Sequence, residues 1–62
     1  MSREEFEAIE AVDIYLMDMT IETSRKMTLK EVSYEEHIFW LKSWKKYGEI
    51  YRKAMKEYYN IE

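Results

Sequence analysis

The side chains able to carry acid–base chemistry are a single histidine, His37, and a set of carboxylates concentrated in the N-terminal half. A general base needs a neighbouring group that orients it and a pocket that admits a substrate. His37 instead falls beside Leu41 and Trp44 on the apolar side of a predicted helix. We therefore interpret it as a histidine at the edge of the core, and we predict that the protein is not an enzyme.

Residue types that hold cofactors are scarce in this chain. There is no cysteine, and one histidine alone does not complete a structural zinc site. Gly48 is the only glycine, so the sequence has no glycine-rich loop to hold a phosphate. The paired acids of the N-terminal half are typical of the solvated face of a helix. We expect neither a cofactor nor a bound metal.

The clearest element is a helix predicted from about Tyr34 to Tyr59. At about 100° per residue, apolar side chains cover one half of its circumference and charged side chains the other half. Gly48 lies mid-helix on the apolar side, where it costs about 1 kcal/mol relative to alanine, so we expect a close helix crossing there. The apolar half contains Trp40, Leu41, Trp44, Tyr47, Ile50, Tyr51, Ala54, Met55 and Tyr58.

A first helix is predicted from Arg3 to a point between Thr20 and Arg25. Both helices begin with a capping-box pattern, a serine followed three residues later by glutamate, at Ser2 and at Ser33. The serine hydroxyl in this motif accepts a hydrogen bond from the backbone N–H three residues on. The apolar residues of the first helix form two stripes, which are Phe6, Ile9, Val12, Leu16 and Met19 on one side and Ile14, Met17 and Ile21 on another.

The segment 19–32 has two interpretations because it is rich in β-branched residues, among them Thr20, Ile21, Thr23 and Val32. The interpretation we prefer is a loop followed by one helical turn near 29–32. A short β-hairpin is the alternative.

These patterns predict an all-α fold in which residues 1–62 form one small domain, a two-helix antiparallel hairpin. A chain this short buries a marginal core and usually needs a disulfide, a metal or a partner subunit. Because disulfides and zinc are excluded, we expect a homodimer in which two hairpins form a four-helix bundle.

Charge is unevenly distributed within a net charge of −3. Glu4 to Glu22 contains seven acids and no base, whereas Lys42 to Lys56 contains six bases and one acid. The two helices are therefore able to pair electrostatically, either within the hairpin or across the dimer. The apolar runs are too short to span a membrane, and the acidic N-terminus is not a signal peptide. We expect a cytoplasmic protein.

The apolar arc of the second helix is wider than the stripe of an ordinary surface helix, which predicts a contact surface for another protein. Our main hypothesis is a small non-catalytic binding module, such as an adaptor, an assembly factor or an inhibitor of a larger protein, of the kind that phages and mobile elements encode. The predicted partner-binding residues are Phe39, Trp40, Tyr47 and Ile50, with Lys46 and Lys53 at the rim.

Two other functions stay open. A nucleic-acid-binding regulator would use the basic side of the second helix, although the aromatic residues lie on the opposite side and the net charge repels phosphate. The other is a structural subunit of an assembly.

The run from Phe39 to Trp44, with Gly48 and Glu49 after it, resembles a segment of small helical assembly proteins of tailed phages. We carry over no site residue from that short resemblance.

Overall fold

Two long α-helices make up most of the structure, a computed structural model that describes residues 1–59. Helix α1 spans Arg3–Thr28 and helix α2 spans Tyr34–Tyr59, and each has 26 residues. Residues 29–33 connect the helices, which pack against each other in antiparallel orientation. Within residues 1–59 there is no β-strand, so the predicted all-α hairpin is confirmed. The last three residues of the predicted domain 1–62 lie outside the described part.

Both predicted serine caps are present. The Ser2 hydroxyl accepts a hydrogen bond of 3.1 Å from the backbone N–H of Glu5, and the Ser33 hydroxyl accepts one of 3.2 Å from Glu36. Each bond satisfies an N–H group that has no partner within its helix. The first turns also carry acidic side chains, at Glu4 and Glu5 in α1 for example, where the helix dipole favours negative charge.

The connection between the helices differs from the prediction, because residues 29–32 form a turn and a bend instead of a helical turn. The N–H of Lys30 donates to Met27 O at 3.0 Å, and the N–H of Glu31 donates to Lys26 O at 2.8 Å. This pair of bonds is the Schellman pattern that ends many helices, and it places Lys30 at a φ of 62°. The chain therefore reverses directly after α1.

Helix α1 also extends beyond the predicted end, through the β-branched segment. The hydroxyls of Thr20 and Thr23 donate to the carbonyls of Leu16 and Met19, both at 2.8 Å. Each threonine is thus satisfied by its own helix, and both are buried against α2. Tertiary packing overrides the low helix propensity of this segment, which is why the expected break near residues 20–25 was wrong.

The core is a narrow seam between the helices. Phe6 and Ala54 are its buried apolar residues among those described, together with the two buried threonines. Phe6 stacks on Tyr58, with ring centroids 4.4 Å apart and an interplanar angle of 7°, and also contacts Tyr51. Trp44, which belongs to the predicted apolar half of α2, is only half-buried.

Gly48 is not explained by a close crossing of the helices. A Cβ atom at this position would meet only the Nη1 atom of Arg52, at 3.8 Å, and no atom of α1 within 4 Å. That expectation was wrong. The glycine instead leaves open space beside the seam.

Candidate protein-binding surface

Three aromatic rings form a connected cluster on one side of the hairpin. Phe39 and Trp40 contact each other edge to face, with centroids 5.2 Å apart and an interplanar angle of 88°. Trp40 makes a similar contact with Tyr15 of α1, at 6.0 Å and 82°. The structure therefore brings two of the predicted contact residues together and adds a residue from the other helix.

The remaining predicted apolar residues lie on the same side of α2. At about 100° per residue, Tyr47 and Ile50 fall within the arc that Phe39 and Trp40 occupy. On α1, Val12 lies one helical turn from Tyr15 and therefore shares its side. We call this surface the aromatic face, which consists of Val12, Tyr15, Phe39, Trp40, Tyr47 and Ile50.

Most of the aromatic face is open to solvent. Phe39 is 59% exposed, Tyr15 is 56%, Ile50 is 50% and Val12 is 43%. Trp40 and Tyr47 are half-buried, so they lie nearer the seam and support the exposed residues around them. Scattered exposed apolar residues are ordinary, whereas a contiguous group that spans two helices is typical of a contact surface.

Charged side chains border the aromatic face on both helices. The predicted rim residues Lys46 and Lys53 are exposed, and they lie at the outer edge of the face on α2. On α1 the corresponding edge carries the exposed acids Glu4 and Asp18. The α1 edge also carries Lys26, paired with Glu22, and the α2 edge also carries Glu57, so one rim is mainly acidic and the other is mainly basic.

Tyr15 and Val12 were missing from the predicted contact residues. Val12 was assigned to the first stripe of α1, with Phe6 and Leu16, and Tyr15 was assigned to no stripe. The spacing of Val12, Tyr15 and Met19, three and then four residues, is itself a helical stripe that could have indicated a second contact side on α1.

An open groove lies on the opposite side of the seam, with a volume of about 580 Å³. It runs past Gly48, and the space that this glycine leaves is part of it. Apolar rings line it together with charges of both signs. The lining residues are Asp13, Trp44, Lys45, Gly48, Tyr51, Arg52 and Met55.

Two titratable side chains join the helices. The Tyr51 hydroxyl donates to Glu10 Oε2 at 2.9 Å, and this bond, followed by partial burial and the negative charges of Glu10 and Asp13, raises the pKa of Tyr51 above 10.0. His37 Nδ1 lies 3.1 Å from the hydroxyl of Thr23. The tautomer of His37 sets the direction of this contact: with the Thr23 hydroxyl hydrogen on Met19 O, the ring N–H donates to the hydroxyl oxygen.

His37 thus has a structural partner, as expected for a histidine at the edge of the core. Within residues 1–59 no three His, Asp or Glu side chains are arranged to hold a metal ion. In the same range neither helix is long and apolar enough to cross a membrane.

Comparison with protein-family models, with curated proteins and with solved structures gives no match.

Proposed function

We propose that the chain is a small non-catalytic protein-binding module, an adaptor, assembly factor or inhibitor of a larger protein, and that the aromatic face is its contact surface. The observation that carries the proposal is the continuous exposed surface of rings and aliphatic groups across both helices. Phe39 and Ile50 on α2 and Tyr15 on α1 are each at least half exposed.

The composition of the aromatic face supports a protein partner. Interfaces commonly have an apolar centre enriched in aromatic residues and a charged rim that stays in contact with water. Here Trp40 and Tyr47 lie toward the seam, and Lys46 and Lys53 lie at the edge. An anchoring ring at the centre of such a surface typically contributes about 2 kcal/mol or more to binding.

The thickness of the molecule supports the same proposal. Its principal-axis extents are 43 × 19 × 12 Å, and the smallest is too thin to contain a second layer of helices packed about 8–10 Å from the first. A stable domain usually has two packed layers, with the apolar sides turned toward each other. The hairpin provides one layer, so a partner would supply the second. The four-helix bundle expected from the sequence is one such arrangement.

The nucleic-acid alternative depends on the lysines of α2. Arg52, Lys53 and Lys56 lie close to one another, and Glu49 lies among them. Lys53 borders the aromatic face, whereas Arg52 and Lys56 lie on the outer side of α2 with Glu49, so within residues 1–59 stacking rings and basic groups meet only at the edge of that face. We therefore favour a protein partner.

A photo-crosslinking amino acid placed at position 39 tests the proposal in the cells that naturally produce the chain. We expect a discrete protein adduct from position 39 and none from a matched probe at Glu49, an exposed residue on the outer side of α2. Equal labelling from both positions, no protein adduct at position 39, or an adduct to nucleic acid would each contradict the proposal.

A further inference from the structure

Within residues 1–59, no ion pair between side chains joins the acidic helix α1 to the basic helix α2. In residues 1–59 the side-chain ion pairs are Arg3–Glu7 at 2.9 Å and Glu22–Lys26 at 3.1 Å, and both lie within α1. The ion pair that reaches α2 joins Glu57 to the terminal amino group, at 3.7 Å. The acidic rim of α1 and the basic rim of α2 therefore remain available to a partner.

The accessible surface of the hairpin exceeds that of a compact monomer by about the area that one protein contact covers. The chain exposes 5038 Å² for a mass of 7.7 kDa. A compact monomer of that mass would expose about 4,300 Å², so the hairpin exposes about 700 Å² more than expected. A stable protein interface covers about 800 Å² on each partner. One further contact of ordinary size would remove the excess.

A second copy of the chain can cover the aromatic face in two symmetric ways. If the two-fold axis runs parallel to the helices, α1 of each copy lies over α2 of the other. If the axis crosses the helices, each helix lies over its own counterpart. The first arrangement places an acidic rim beside a basic rim twice, and the second places acid beside acid and base beside base. Charge therefore favours the first arrangement.

The register of the hairpin identifies which charges would meet. Glu10 lies beside Tyr51, and Thr23 lies beside His37. Because the helices are antiparallel, Asp18, which lies between Glu10 and Thr23 on α1, is level with Ser43 on α2. With the axis parallel to the helices, the partner presents its residues at the same levels. Asp18 would then lie within one turn of Lys46 of the second copy.

We propose that the aromatic face binds a second copy of this chain, in a four-helix bundle whose two-fold axis runs parallel to the helices. Acidic α1 then packs on the partner's basic α2. This inference rests on the proposed protein-binding function and names the partner. The apolar centre of the face stabilises the dimer, and the charged rims select the orientation.

Sedimentation equilibrium of the purified chain tests the partner. We expect twice the chain mass at high concentration and dissociation on dilution, with Phe39→Ala weakening the dimer about tenfold or more. Helical circular dichroism should be retained in Phe39→Ala, since this ring is 59% exposed in the hairpin. A wild-type chain that stays monomeric would overturn the inference. The proposed function would then still stand if the probe at position 39 captures a different protein.

Charge reversal tests the orientation. Asp18→Lys and Lys46→Glu should each weaken the dimer about three- to tenfold, since every rim contact occurs twice, and the double variant should recover most of the loss. If Asp18→Lys instead strengthens the dimer, like charges face each other and the orientation is wrong.

Lys45→Glu is the matched control, because Lys45 has the same charge as Lys46 but lines the groove on the opposite side. We expect Lys45→Glu to change the dissociation constant less than twofold. A larger loss for Lys45→Glu than for Lys46→Glu would show that the copies associate through the groove, which would overturn the inference.

Discussion

At the scale of single residues, two side-chain hydrogen bonds in the described part connect the helices. Thr23 and His37 meet near the turn, and Glu10 and Tyr51 meet toward the open end. A seam with so few buried apolar groups depends on such bonds to fix its register, because a shift along the helices would break both.

Tyr51→Phe removes one of these bonds without removing the ring. We expect a loss of about 0.5–1.5 kcal/mol in the free energy of unfolding at neutral pH. Because folding raises the pKa of Tyr51, the bond contributes fully below 10.0, the pKa of the unfolded state, and its contribution is lost as the pH rises through the folded pKa. The difference between wild type and variant should therefore disappear at high pH.

Urea unfolding at neutral pH and at a pH above the folded pKa of Tyr51 measures this difference. Tyr34→Phe is the control, since Tyr34 is 65% exposed. An unchanged stability of Tyr51→Phe at neutral pH, or a difference that grows at high pH, would contradict the assignment.

At the scale of the elements, the ends of the helices determine the hairpin. Serine caps begin both helices, and a Schellman turn ends α1. The turn places Lys30 at a φ of 62°, in the left-handed region that a residue with a Cβ atom adopts at a cost. Glycine usually occupies this position.

Lys30→Gly should therefore stabilise the protein by about 0.5–1 kcal/mol, because relief of the left-handed strain outweighs the added freedom of the unfolded chain. For a domain of this size we expect a rise in Tm of roughly 2–8 °C in thermal unfolding. Lys30→Ala removes the same charge but keeps the Cβ atom, so it should give no gain. A rise of equal size in Lys30→Ala would attribute the effect to charge instead of backbone conformation.

The helices and their starts could be predicted from sequence because serine caps and apolar spacing are local signals. The end of α1 could not, because Thr20 and Thr23 favour a helix only once α2 buries them. On α2 the predicted contact residues do share one side. Tyr15 was not predicted as a contact residue, because its position beside Trp40 depends on the orientation of each helix about its own axis in the packed hairpin.

At the scale of the whole molecule, the hairpin is a single layer with two different sides. The aromatic face covers one side, and the open groove beside Gly48 lies on the other. The radius of gyration is 14.0 Å, whereas a compact domain of this length would have about 10.6 Å. A second layer on the aromatic face would give the chain the depth that a stable core requires.

Isotope-filtered nuclear Overhauser measurements on a mixture of labelled and unlabelled chains test that second layer most directly, because they detect contacts between copies alone. The proposed bundle predicts contacts from Val12 methyl protons of one copy to Ile50 of the other, since these positions lie at one level on the same face. Contacts between copies that involve Met55 and other groove residues, with none from Val12 or Ile50, would contradict the account.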